Sequence, residues 1–466
     1  MISARSLAIS VLLLSICGCT LGPNYKRPQL NVPDKYRGLA PPTTPQTSTE
    51  SFGEMKWSAV FQDKVLEDLI REALVNNYDI RIAASRVAQA KAIVGITRAD
   101  QLPSVTGSGS IRQLRFQFIP NTPANASTYD TLSLQMNYIV DFWGQYRRAT
   151  EAARASLVAT EYGQNVVRTS LISDLASAYF RLRQYDTQLQ YSEKTLVADQ
   201  DMLRLNTINY KGGESAKTDV LQAQLLVEQA EAQIISLRQL IEQQENAISV
   251  LLGRNPGPVT RGISLTEQPH MPEVPAGLPS TLLQRRPDVR RAEMFLVSAN
   301  ANVGVAKAAF FPQFALTGMF GARSTAITSF LQGPATFWAL GGQVMQPFYE
   351  GGRIRSNYRL AWAQRDEAEL AYKQSVQLAI TDVSNSLVGY AQSRQYRSKI
   401  QEQTDTYYET ARLANIRYTG GSTSFLEVLV TQQQYFTSQL ALAQAWNDEL
   451  QYYVQLYRAL GGGWEP

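Results

Sequence analysis

Residues 282–312 read LLQRRPDVRRAEMFLVSANANVGVAKAAFFP, and a weaker copy, LVNNYDIRIAASRVAQAKAIVGITRADQLP, occupies residues 74–103. Adding 209 to Asp79, Arg81, Gly95 and Pro103 gives Asp288, Arg290, Gly304 and Pro312, so four unlike residue types coincide at one offset. A shared offset of that kind marks an internally duplicated unit. In each copy an Asp falls in a first helical turn, where the positive end of the helix dipole favours a carboxylate, and a Pro closes the helix.

After each Pro the hydrophobic period changes from helical to two. Leu132, Leu134, Met136, Tyr138 and Val140 alternate with Ser133, Gln135 and Asn137, which predicts a strand over about 128–142 with one apolar face. A Gly-rich stretch at 104–118 supplies its hairpin partner, across a loop carrying Pro120, Asn121, Pro123 and Asn125. The second half repeats the arrangement with strands at about 313–322 and 337–348, around a loop at Gly333 and Pro334.

Long helices follow the strands. From Gln145 to about Asn206 an apolar seam runs through Leu171, Leu175, Ala178, Leu182, Tyr185, Leu189, Leu196 and Leu203, interrupted by Ser192 and Asp199. Its spacing of three and four is that of a coiled coil rather than the wider stripe of a globular helix, and at 1.5 Å per residue such a helix approaches about 90 Å. A second seam, from Val220 through Ala223, Ala230, Ile234, Leu237 and Ile241 to Leu251, stops at Gly253. The two predict an antiparallel hairpin over 145–252, turned at Gly212 and Gly213. The second half predicts the same over 353–460, turned at Gly420 and Gly421, so Tyr210-Lys211-Gly212-Gly213 answers Tyr418-Thr419-Gly420-Gly421 and Asp219-Val220-Leu221 answers Glu427-Val428-Leu429. The domain reading is therefore a leader at 1–18, an extended arm at 19–55, one repeat at 56–255, a connector at 256–276 and a second repeat at 277–466.

Composition narrows the chemistry. Of 466 residues, 44% are hydrophobic, and 44 basic against 40 acidic residues leave a formal charge of +4, too balanced for a nucleic-acid binder. One His and two Cys, Cys17 and Cys19, exclude most metal sites and disulfide frameworks. His270 sits in a Pro-rich connector and reads as a surface residue; no Ser/His/Asp set or phosphate-cradling loop accompanies it, so no catalytic residue and no metal ligand is assigned. Arg5 precedes an apolar run at 7–16, long enough for an export signal and too short for a permanent membrane helix. Leu14-Ser15-Ile16-Cys17-Gly18-Cys19 resembles a bacterial lipoprotein box, which makes Cys19 the lipidated (palmitate-bearing) first residue and the lipid the only covalent addition expected. Residues 22–52, rich in Pro and Thr, read as a poorly packed tether.

Four function classes compete for this pattern. A lipoprotein coiled coil that spaces or tethers envelope layers accounts for the helices and leaves the strands unexplained. An enzyme lacks its residues, and a soluble binding module is told apart by extraction without detergent. A channel uses every feature: in lipid only helices and closed barrels satisfy the backbone, and four strands are too few to close, so the barrel must be completed by other copies. Three copies supply twelve strands.

The residues resemble those of the outer-membrane factors of tripartite efflux pumps, the TolC-like family, in its lipoprotein branch similar to OprM and NodT. The likeness rests on Cys19 followed by Gly22-Pro23-Asn24-Tyr25 and Arg27-Pro28, on Arg285-Arg286-Pro287-Asp288-Val289, on Ala308-Ala309-Phe310-Phe311-Pro312, on residues 348–353 and on the closing Ala459-Leu460-Gly461-Gly462-Gly463-Trp464. The resemblance implies an α+β membrane protein: a homotrimer with a twelve-stranded outer-membrane β-barrel continued by a long periplasmic α-helical barrel, embedded in outer-membrane lipid. It also implies partners, a periplasmic adaptor (membrane fusion) protein and an inner-membrane transporter of RND type, and passive conduction with no cofactor. The two Gly-Gly turns would be the periplasmic tip, where Gly212, Gly213, Glu214, Ser215, Gly420, Gly421, Ser422 and Thr423 meet the adaptor. Asp219 and Glu427 would form carboxylate rings at the periplasmic gate. The family often has a second acid three residues after Glu427; here that position is Val430 and its first-half counterpart is Gln222, so Val430 reads as an apolar collar.

Overall fold

The computed structural model describes residues 20–30, 32–34, 36–37, 52, 55–116, 125–268, 279–326, 328, 330 and 335–464. Cys19, His270 and the two strand-connecting loops at 117–124 and 331–334 lie outside them.

A 22-residue helix, two strands and two long helices follow one another twice. Two helices, α1 (Trp57–Val60) and α2 (Lys64–Asn76), lead into α3 (Tyr78–Ala99), strands β1 (Ser104–Phe116) and β2 (Asn125–Val140), and helices α4 (Gln145–Lys211) and α5 (Lys217–Leu251). Then α6 (Pro279–Arg285), α7 (Pro287–Ala308), β3 (Gln313–Ser324), β4 (Ala335–Met345), α8 (Arg353–Thr419) and α9 (Phe425–Ala459) follow. Helices α3 and α7 have 22 residues each, α4 and α8 have 67 each, and α5 and α9 have 35 each, so the sequence offset becomes an equality of element lengths. Asp79 and Asp288 sit in first turns as expected, and α7 begins on Pro287, whose missing N–H costs nothing there. Strand β2 starts at Asn125, inside the stretch expected to be loop, because its ladder with β1 runs unbroken from Ser104↔Asn137 to Phe116↔Asn125.

Contacts divide the chain into two compact units. The first gathers Met1–Gln29, Arg86–Glu161 and Arg291–Lys373 and contains the whole sheet. That sheet is antiparallel with order β1-β2-β3-β4, so the two expected hairpins are also joined to each other, Val140↔Phe314 to Asp130↔Ser324. Trp143 stacks on Phe311 with centroids 4.8 Å apart and its indole N–H donates to the Pro312 carbonyl at 2.7 Å, which fixes the residues that end α7 at the start of β3.

The arm was expected to be poorly packed, and residues 20–27 are not. Arg27 makes a two-pronged ion pair with Glu293, at 2.7 and 2.6 Å, and the Tyr25 hydroxyl donates to the same carboxylate at 3.1 Å. Arg148 donates to the Leu21 carbonyl and to Asn24, and Asn300 donates to the Pro23 carbonyl at 2.8 Å. A Cβ on Gly22 would collide with the backbone of Gly304, one of the four repeated residues. Periodicity misses this segment because polar and backbone contacts hold it, not a hydrophobic stripe.

The second unit gathers Leu30–Ser85, Tyr162–Arg290 and Gln374–Pro466. Here the stripe of α4 is wider than its coiled-coil spacing predicts, since Ile172, Ala176, Tyr179 and Phe180 are buried along with Leu171, Leu175 and Leu182. The reason is a second neighbour: Phe61, Leu66 and Ile70 from α1, α2 and their junction join Tyr453 and Tyr457 of α9 in one cluster with these residues. The chain end is locked into the same unit, with Gly461 N–H bonded to the Arg458 carbonyl, Gly462 N–H to the Tyr457 carbonyl, and the Trp464 indole to the Arg285 carbonyl at 3.0 Å. Arg286, buried beside it, is held by Asp288 at 2.6 Å and Asp382 at 3.0 Å. The RRPDV and ALGGGW motifs therefore serve one structural joint.

Candidate functional site

The sheet has two unlike faces. By register, Val105, Met136, Gly318 and Leu340 form one row across the four strands, and Gly107, Leu134, Phe320 and Trp338 form the next on the same side. Val105, Leu132, Leu134, Phe320, Trp338, Leu340 and Val344 are all exposed there, with Trp338 at 74% and Leu340 at 77%. A soluble protein rarely leaves so continuous an apolar surface open to water, whereas a barrel wall presents one to lipid. The other face carries Ser104, Thr106 and Ser108 opposite Asn137, Gln135 and Ser133, followed by Thr317 and Gln343. Ser108 and Ser133 share a hydrogen bond at 3.0 Å, which fixes both on that polar side. Apolar outside and polar inside is the alternation of a membrane β-barrel with an aqueous interior.

The two Gly-Gly turns, both in the second unit, join α4 to α5 and α8 to α9. Each closes as a helix C-cap with paired bonds: Gly213 N–H to the Tyr210 carbonyl and Glu214 N–H to Asn209, then Gly421 N–H to Tyr418 and Ser422 N–H to Arg417. Gly213 and Gly421 have φ of +80° and +71°, the left-handed conformation that residues with a Cβ resist. Glu214, Gly420 and Ser422 are exposed, and Ser215 and Thr423 are half-buried. Ser215 bonds weakly back to the Asn206 carbonyl. Beneath them Met202, Ala223, Ala414, Phe425 and Val428 make a small core shared by α4, α5, α8 and α9.

Asp219 and Glu427 occupy the first turns of α5 and α9 as expected, and both are half-buried. Glu427 is not a free carboxylate: Arg417 donates to it at 2.8 Å and the Thr423 hydroxyl bonds its other oxygen. Val430 is 42% exposed, one turn further along α9. Three residues that sequence reasoning did not single out complete the cluster. The Tyr418 hydroxyl donates to the Asn206 side chain at 2.7 Å, and burial, followed by the nearby Asp219 charge, raises the Tyr418 pKa. Arg417 precedes Glu427 by ten residues across a reversing turn, and that separation with opposite charges was the available signal.

Comparison with known proteins places this geometry. The sequence profile of the family described as outer membrane efflux protein matches residues 69–254 and again 278–462. The chain belongs to the outer membrane efflux protein family. It is 34% identical over 461 residues to the solvent efflux pump outer membrane protein SrpC of Pseudomonas putida, covering 97% of each chain. It is 30% identical over 459 residues to the cation efflux system protein CusC of Escherichia coli O6:H1, again covering 97% of each. The solved outer-membrane channel OprN superposes with a TM-score of 0.87 at 29% identity, over 96% of this chain and all of that one. As a member of the outer membrane efflux protein family the chain is an outer-membrane channel component of an efflux system, and not an enzyme.

Proposed function

We propose that three copies of this chain close a twelve-stranded barrel in the outer membrane and continue it as a periplasmic α-helical barrel of coiled-coil-like hairpins, which passively carries solutes delivered by an inner-membrane pump of RND type through a periplasmic adaptor. The carrying observation is the sheet itself, two-faced and ending on β1 and β4, each with one edge unpaired among the described residues. Unpaired edges are untenable in hydrocarbon, so β4 of one copy must meet β1 of the next. Exposed Ile93, Ile96, Leu360 and Leu370, in the same unit as the sheet, supply further apolar surface for contact between copies.

Two features refine the reading. Cys19, freed by removal of residues 1–18, carries the lipid and assists insertion, so Cys19→Ser is expected to give a folded protein still in the outer membrane. A wholly soluble periplasmic product would count against the barrel. The turns around Gly212, Gly213, Gly420 and Gly421, with Glu214, Ser215, Ser422 and Thr423, form the adaptor-facing tip, and Asp219, Glu427 and Val430 line the gate.

Native mass measurement in detergent should return three chains, and planar-bilayer recording should show a channel. Glu427→Gln leaves Arg417 without its carboxylate, so the pair changes from neutral to cationic and cation preference should fall. Arg417→Gln should raise it, and Val430→Ala should increase the conductance of the closed state. Monomers that conduct, or gate variants indistinguishable from the parent, would overturn the respective assignments.

A further inference from the structure

At the loop end of the sheet, remote from the strand ends that join the helices, the polar face changes from neutral to cationic. Arg323 lies on β3 with its guanidinium carbon 5.4 Å from the Tyr129 ring on β2 and 5.7 Å from the Phe337 ring on β4. The strand order puts β3 between β2 and β4, so one cation is braced by an aromatic ring on each flank. Gly321 makes room for this: a Cβ there would come within 2.8 Å of the Phe337 ring and 2.6 Å of the Leu132 carbonyl. Arg112 pairs with Tyr129 in the β1–β2 register and therefore projects from the same face.

No carboxylate answers these charges. Asp130 is the one acid in the four strands; it alternates onto the apolar side and is only 4% exposed. Arg112 and Arg323 are both exposed, and neither has an ion pair among the described residues. A guanidinium held between two rings by cation–π attraction is confined in position while its N–H groups stay able to take an oxyanion through two parallel hydrogen bonds. Cation–π bracing also removes much of the rotamer freedom an isolated surface Arg would lose on binding.

We propose that Arg323, braced by Tyr129 and Phe337 and accompanied by Arg112, forms an oxyanion-recognising collar at the outer mouth of the channel, selective for solutes that carry carboxylate or phosphate groups. The inference rests on the trimeric barrel reading, which multiplies two cations per chain into a ring around the lumen. Such a ring raises the local concentration of anions and opposes the return of cations from outside. Lipid phosphate offers the same chemistry, but it would reach the apolar face; the collar lies on the polar one.

The test is planar-bilayer recording of the full-length trimer in zwitterionic phosphatidylcholine, with inositol hexakisphosphate as a soluble polyanion added to one side at a time. Block should require about tenfold less polyanion from the loop side than from the helical side, and Arg323→Gln with Arg112→Gln should abolish that asymmetry while shifting the reversal potential toward cations. Arg323→Lys, which keeps the charge without the planar fork, should retain the reversal potential and lose most of the tight block. Normal conductance with unchanged block in the double variant would overturn the collar and leave the barrel standing. Complete absence of channel conductance in the parent protein would overturn the barrel, and the collar with it.

Discussion

Asp63→Ala should cost about 4 kcal/mol of stability, because this buried carboxylate accepts from four donors at once. Asp63 is 1% exposed. One of its oxygens caps α2 by accepting from Val65 N–H at 2.9 Å and Leu66 N–H at 3.4 Å. The other accepts from the Tyr179 hydroxyl at 2.8 Å and from Ile263 N–H at 3.0 Å. Tyr179 in turn accepts from Gly262 N–H at 2.9 Å, and a Cβ on Gly262 would occupy the space of the carboxylate. Truncation therefore strands donors in α2, α4 and the connector simultaneously. Burial, then the bond to Asp63, raises the Tyr179 pKa, so the hydroxyl stays protonated and donating throughout the accessible pH range. Thermal unfolding in detergent should show a fall of several degrees for Asp63→Ala and a clearly smaller one for Tyr179→Phe, which removes a single donor to the carboxylate. Equal effects, or a loss below about 1 kcal/mol for Asp63→Ala, would show that water replaces the carboxylate.

That node illustrates what periodicity cannot supply. The four strands, the two long hairpins and their Gly-Gly reversals were legible because each rests on local rules: alternation of two, seams of three and four, and glycines where φ turns positive. The joining of β2 to β3 and the knot around Asp63 bring together residues separated by 116 and 200 positions, as Asp63 with Tyr179 and with Ile263, and nothing in the local pattern announces such pairs. The candidate gate divides the same way. Asp219 and Glu427 were visible as matching first-turn acids, whereas the Arg417 partner and the Tyr418–Asn206 link depend on how the turn folds back. Helical packing also widened the seam of α4 beyond its sequence spacing, since a third layer from α1 and α2 buries Tyr179 and Phe180 on a flank that a two-helix hairpin leaves wet.

The two interruptions of that seam, Ser192 and Asp199, have unlike consequences, and Asp199 yields the second large effect. Ser192, Asp199 and Asn206 recur every seven residues on α4 and are 0%, 4% and 0% exposed. Ser192 donates to the Gln188 carbonyl, and Asn206 both donates to the Met202 carbonyl and accepts from Tyr418, so those two are satisfied. No hydrogen bond or ion pair reaches Asp199 among the described residues, and burial alone lifts its carboxyl to about 6. The folded chain therefore holds this proton more tightly than the unfolded chain does. Stability from this group is greatest below about pH 4, where the carboxyl is neutral in both states, and declines as pH rises through 6, where the folded state must bury a charge or give up the contact. A shift of about two pH units corresponds to about 3 kcal/mol of penalty, fully developed near pH 7.5. Asp199→Asn removes the ionisation and Asp199→Leu completes the apolar seam, so both variants should melt higher than the parent at pH 7.5, with the leucine variant higher still, and the difference from the parent should shrink toward pH 4.5. A parent protein whose unfolding midpoint follows that of Asp199→Asn across this range would mean the carboxylate is hydrated or paired when the copies assemble, and the α4 seam carries no proton-linked penalty.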